Sequence, residues 1–93
     1  MALTEAQIES AIRTLDGWRR AGNTITREFS FDSFREAISF IVRIAFEAEQ
    51  RDHHPELWNV YGRVRVTLST HDAGGVTATD LDLARAINEI NWR

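Results

Sequence analysis

Side chains able to move or steer protons crowd a short window, among them Glu49, Asp52, His53, His54, His71 and Asp80. The window holds all three histidines of the chain, and the chain has no cysteine. Imidazole has an unperturbed pKa of about 6.5, so it gives and takes protons near neutral pH. The chemistry this set points to is general acid–base catalysis rather than thiolate attack. Glu49 precedes His53 by four residues, which puts both on one face if a helix persists that far. A carboxylate there orients the imidazole. His54 turns about 100° away on a helix, and Pro55 restricts how the chain leaves it. His71 stands beside Gly74-Gly75, in strand phase with Ser69.

Each residue also has a plain structural role to offer. Glu49 and His53 suit a surface ion pair, or a histidine placed at the negative end of a helix dipole. Asp80 suits a helix cap, and Asp52 suits an exposed turn. Trp18, Trp58 and Tyr61 can wall a flat ligand, although most tryptophans pack in cores or interfaces. A three-histidine zinc centre from His53, His54 and His71 is a further option, but adjacent histidines reach one ion awkwardly.

The elements that must position these groups are set by local pattern. Thr4 and Gln7 have capping-box spacing, with Leu3 and Ile8 as a staple, so a helix is expected from Thr4 to Leu15. Gly17 stops it. Trp18 to Ala21 and Thr24 to Phe31 read as a hairpin around Gly22-Asn23. A long helix is expected from Asp32 or Ser33 to Arg51, ended with help from Pro55. Its apolar stripe reads as Phe34, Ile38, Ile41, Ala45 and Ala48, widened by Phe40, Val42, Ile44 and Phe46. That is more apolar surface than one core needs, so the second face is expected to bury deeply or to meet another subunit. Leu57 to Tyr61 and Arg63 to Thr70 read as strands, the second alternating Val64, Val66, Leu68 and Thr70 against Arg63, Arg65, Thr67 and Ser69. Thr77 and Asp80 form a second capping box for a final helix carrying Leu81, Ala84, Ile87 and Ile90. The order predicts an α+β domain spanning 1–93, a four-stranded, mostly antiparallel sheet with three helices on one face.

Length and composition bound the rest. Ninety-three residues suit one domain, 43% hydrophobic and 27% charged. A domain this small gains from an oligomer that completes its core. A formal charge of −3 gives no electrostatic reason to expect nucleic acid. No apolar run nears the roughly 20 residues of a membrane span. The N-terminus lacks the basic-then-apolar pattern of a secretory signal, and a cysteine-free chain is compatible with the cytoplasm. The Gly-x-Gly-x-x-Gly dinucleotide fingerprint is absent.

The signature as a whole resembles the pterin-4a-carbinolamine dehydratase family. The matching residues are Glu49, then His53-His54-Pro55, Leu57-Trp58-Asn59-Val60-Tyr61, Val64, Val66 to His71, Ala73-Gly74-Gly75 and Asp80. A looser match runs through Gly17-Trp18 and Phe29 to Ile41. The resemblance implies the same α+β fold and the dehydration of a 4a-hydroxytetrahydropterin, in tetrahydropterin recycling. It implies proton transfer by His53 and His71, with His54 binding or orienting and Glu49 tuning a histidine. Asp52 and Asp80 support the site; Trp18, Ser69 and Pro55 border the substrate. No metal and no cofactor is implied, because the pterin is itself the substrate. Apart from the resemblance, the excess apolar surface of the long helix leads to the expectation of a homodimer or homotetramer. Some members of this family act instead through protein contact, as dimerisation cofactors or assembly factors, and the apolar remainder of the long helix is the surface such a role would use.

Overall fold

The computed structural model describes residues 1–90. They form α1 (Glu5–Ile12), β1 (Arg19–Ala21), β2 (Thr24–Ser30), α2 (Phe34–Gln50), β3 (Glu56–Val60), β4 (Arg63–Leu68), a 3-10 turn (His71–Ala73) and α3 (Ala78–Asn88). The strands lie in the order β1-β2-β4-β3, and every pair is antiparallel. The helices pack against the face bearing Ile25, Val64, Val66 and Leu68, which join Phe40, Ile44, Leu83 and Ile87 in one core. The α+β reading of the sequence is the observed architecture, with the sheet antiparallel throughout.

Both capping boxes form. Thr4 N–H donates to Gln7 Oε1 at 2.8 Å, and Gln7 N–H donates to Thr4 Oγ1 at 3.1 Å. α1 is shorter than its pattern because the chain tightens into turns: Thr14 and Leu15 N–H donate to the carbonyls three residues back. β4 is also shorter than expected. After Leu68 the chain bends, Thr70 bridges to Gly75, and His71 opens the 3-10 turn.

The face of α2 that is buried differs from the stripe read in the sequence. Ala37, Phe40, Ile44 and Ala48 are buried, whereas Phe34, Ile38, Val42 and Phe46 are exposed and Ala45 faces outward. Both rows have helical spacing, so periodicity alone cannot rank them. Packing decides: Phe40 lies 4.7 Å from the ring of Phe29 and 5.0 Å from that of Phe31. The helix therefore presents a row of four large apolar side chains to solvent.

The helix-free face of the sheet is held by charge. Arg63 donates to Glu28 at 2.9 Å and Arg65 at 3.3 Å, and both guanidinium groups lie over the ring of Trp58. The hydrogen bond from Arg63 is the main reason the Glu28 carboxyl sits below the usual carboxylate range. A depressed folded value means stability that is present above the ordinary carboxyl range and lost as pH falls through the depressed one.

Two outcomes for stability are expected. Phe40→Ala lowers the unfolding free energy by about 3–5 kcal/mol, whereas Phe46→Ala shifts folding within a chain by about 0.5 kcal/mol or less. Denaturant titration checks this, and equal costs at the two positions would reverse the assignment of faces. Glu28→Gln is expected to flatten the acid side of the stability curve. Titrations from neutral pH downward read that slope, and an unchanged slope would remove Glu28 from the account.

Candidate functional site

α2 ends in a way that aims His53. Asp52 takes a left-handed backbone, φ 48°. Its N–H donates to the Glu49 carbonyl at 3.1 Å, and His53 N–H reaches back to the Ala48 carbonyl at 3.0 Å. This pair of bonds is the Schellman helix stop, with Asp52 in the position glycine usually takes. Aspartate tolerates that conformation better than most side chains. α2 thus ends at Gln50 with Arg51 as its cap, close to the bound read from the sequence, and the left-handed stop at Asp52 comes three residues before Pro55.

The stop also separates Glu49 from His53. Once the chain leaves helical geometry, four-residue spacing no longer puts them on one face. His54 Nε2 lies 3.7 Å from Glu49 Oε2 instead, and both side chains are largely exposed. Glu49 faces His54, not His53.

The partner of His53 is Asp80. His53 Nε2 meets Asp80 Oδ1 in a direct contact, and the His53 side chain is only 13% exposed. Asp80 is fully buried. Its Oδ2 accepts from Thr77 N–H at 2.8 Å and from Thr70 Oγ1 at 2.8 Å. The cap of α3 and the ligand of His53 are therefore one carboxylate. Its two oxygens divide the work, with Oδ2 facing the fold and Oδ1 facing the histidine.

Thr70 connects this pair to His71. Its hydroxyl lies 2.7 Å from Thr77 Oγ1 and 2.8 Å from Asp80 Oδ2. Its carbonyl accepts from Ala73 and Gly74 N–H, each at 3.1 Å, closing the turn that carries His71. His71 is exposed there. It lines a cleft of about 230 Å³ with Asn23, Ser69, Thr70, Gly74 and Gly75. Thr70 also borders a neighbouring hollow of about 500 Å³, lined by Met1, Asp72, Ala73, Thr77 and Thr79.

Of the residues expected from sequence, His53 and Asp80 are joined through Thr70 to the turn bearing His71, and Ser69 lines the cleft of His71. Asp52, His54, Glu49 and Pro55 stand along the exit from α2 that delivers His53. Trp18 belongs elsewhere. It is buried, its Nε1–H donates to Asn88 Oδ1 at 2.8 Å, and its ring meets Phe29 edge-on. Asn88 closes α3 eight residues beyond Asp80, roughly 12 Å along the axis. Trp18 is thus a core residue tied to the end of α3 opposite Asp80. A larger hollow of about 460 Å³ lies between α2 and α3, among Arg43, Phe46, Glu47, Arg51, Ala86, Glu89 and Ile90. It holds none of the histidines.

Sequence reading passes over Thr70, Thr77 and Asn23 as site residues. Thr70 has a usable signal: it continues the buried phase of Val64, Val66 and Leu68, where a hydroxyl needs a partner. Among the described residues, no three His, Asp or Glu side chains gather in positions to hold one metal ion. No helix among them is long and apolar enough to cross a membrane.

The comparisons with known proteins agree with the fold. The family model described as pterin 4 alpha carbinolamine dehydratase matches residues 1–90. A relative from Opitutus terrae is 53% identical over 91 residues, covering 97% of this chain and 94% of its own. It carries the pterin-4-alpha-carbinolamine dehydratase name as an unconfirmed assignment. A relative from Rhodopseudomonas palustris, named in the same way, is 53% identical over 90 residues, covering 95% and 89%. A crystal structure described as a transcriptional coactivator/pterin dehydratase from Brucella melitensis superposes with a TM-score of 0.91 at 46% identity, covering 95% of this chain and 96% of the other. A pterin dehydratase-like RuBisCO assembly factor of the alpha-carboxysome shares the fold at 18% identity, with a TM-score of 0.64, over 81% of this chain and 93% of its own. With identity near one half across almost the full length, and a family model matched from the first residue through Ile90, this chain belongs to the pterin-4-alpha-carbinolamine dehydratase family.

Proposed function

We propose that the protein removes water from a 4a-hydroxytetrahydropterin to give the quinonoid dihydropterin, acting in the cytoplasm in the recycling of a tetrahydropterin cofactor. The observation that carries the reading is the buried Asp80 that anchors His53 and, through Thr70, the turn bearing His71. An imidazolium gives its proton to the 4a-hydroxyl as the C4a–O bond breaks and water leaves. The N5 lone pair closes the C4a–N5 double bond, and the N5 proton passes to a base. The N5 electrons drive the departure, so the step needs neither metal nor cofactor. His53 and His71 take the proton-transfer roles. His54, paired with Glu49 and exposed, binds or orients the pterin. Ser69 and Pro55 border it, and Asp52 sets the helix end that delivers His53.

His53→Ala and His71→Ala are each expected to slow dehydration, with different residual preference between the two 4a-hydroxy stereoisomers. The double variant loses about 10²–10⁴ in rate, the usual worth of general acid–base help. Chelator leaves the wild-type rate unchanged. Stopped-flow kinetics on resolved isomers, with circular dichroism as the check on folding, measure all of this. A folded double variant at wild-type rate would remove the histidines from the mechanism.

The exposed row Phe34, Ile38, Val42 and Phe46 favours assembly, as a homodimer or homotetramer, and is also the surface on which a non-enzymatic role by protein contact would rest. Phe46→Asp is expected to lower the solution mass without unfolding the chain. Phe40→Asp cannot serve as a probe, because Phe40 lies in the core. Light scattering that finds a wild-type monomer at micromolar concentration would end the assembly proposal.

A further inference from the structure

We infer that Thr70 is a positioning residue of the site. Its hydroxyl holds Asp80 so that Asp80 fixes His53 in a single tautomer, with Nε2 protonated and Nδ1 left as the nitrogen that exchanges protons. The role in turnover rests on the dehydratase reading; the tautomer does not.

The direction of each bond comes from proton counting. The Asp80 carboxylate accepts, and Thr77 N–H can only donate to it. The Thr70 hydroxyl carries one proton and sits 2.8 Å from Asp80 Oδ2, so that proton goes to the carboxylate. The Thr70 oxygen then accepts from the Thr77 hydroxyl, 2.7 Å away. Two donors from two elements, the end of β4 and the cap of α3, therefore grip Oδ2. Without Thr70 the carboxylate keeps Thr77 alone, its N–H at 2.8 Å and its hydroxyl at a long 3.5 Å from Oδ2, and so keeps freedom to turn about that one residue. Held by both, it presents Oδ1 in one direction, and His53 Nε2 meets it there as a donor. A neutral imidazole protonated at Nε2 carries its lone pair at Nδ1.

Thr70 is itself held firmly. Its N–H donates to the Gly75 carbonyl at 2.8 Å, and its carbonyl closes the turn carrying His71. The same residue thus anchors one histidine through its side chain and the other through its backbone. Val64, Val66 and Leu68, which precede it in the inward phase of β4, are apolar and almost fully buried. A valine would continue that pattern, so packing alone does not require a hydroxyl at this position.

The test uses Thr70→Val, Thr70→Ala and Thr70→Ser in the full chain. Two-dimensional NMR of ¹⁵N-histidine-labelled protein reads the tautomer of each ring. Wild type and Thr70→Ser are expected to show His53 protonated at Nε2; Thr70→Val and Thr70→Ala are expected to show a mixture. With 4a-hydroxytetrahydropterin, kcat of the valine and alanine variants is expected to fall about tenfold, a share of what acid–base help is worth, with KM little changed and the serine variant close to wild type. If valine prevents folding, the comparison of alanine with serine still isolates the hydroxyl. A wild-type His53 tautomer in a folded valine or alanine variant would overturn the inference, and so would failure of serine to restore it. A shifted tautomer in a protein whose wild type does not dehydrate the pterin would sustain the positioning and overturn the dehydratase reading alone.

Discussion

The structure turns on one buried carboxylate. Asp80 has no exposed surface, and an acid placed there is costly unless its oxygens find donors. Here the donors come from three parts of the chain: the Thr77 N–H at the start of α3, the Thr70 hydroxyl at the end of β4, and His53 beyond α2. Hydrogen bonds to charged groups are worth about 1.5–3 kcal/mol each, and losing one leaves the rest of the desolvation cost in place. The contact that caps a helix and closes the sheet end is therefore also the contact that holds a histidine. The proposed chemistry would thus draw on the same atoms as folding, and the geometry of His53 inherits the rigidity of the core.

A second constraint makes that contact possible. A straight continuation of α2 would carry His53 around the cylinder, beside Glu49. The left-handed turn at Asp52 stops the helix and redirects the chain. A bulky or β-branched residue would be strained at that backbone angle. Asp52 thus does its work through φ rather than through its carboxylate. The pairing of His54 with Glu49 is the other half of the same geometry: His53, directly after the turn, goes inward, while His54 is left at the surface.

What can be read from sequence divides along the range of the interaction. Thr4 with Gln7 and Thr77 with Asp80 are legible because a capping box is complete within four residues. The alternation of β4 is legible because the strand has one buried face. The buried face of α2 is not legible, since Phe34, Ile38 and Phe46 are as apolar as Phe40 and Ile44, and only Phe29 and Phe31 across the core choose between them. The partner of His53 lies 27 residues away and that of Trp18 lies 70 away, distances over which no spacing rule operates. The family signature picks out residues without saying which touches which. Helical spacing assigns Glu49 to His53, and the helix stop gives it His54 instead.

The fold alone does not choose between a catalytic role and one of protein contact, because sites are carried by particular side chains rather than by architecture. The two readings use different parts of α2. Protein contact draws on Phe34, Ile38, Val42 and Phe46, on the side turned away from the core. Catalysis draws on the helix stop at Asp52 and on His53 directly after it. Residues that share no contact contribute nearly independently, so an apolar row on the outer side neither builds nor weakens the Asp80 network. A chain kept only for its outer face would need a cap for α3, which Asp80 supplies to Thr77 N–H through Oδ2. Its Oδ1 is buried as well and needs a donor on either reading. What catalysis adds is a reason for that donor to be a histidine, whose second ring nitrogen can exchange a proton.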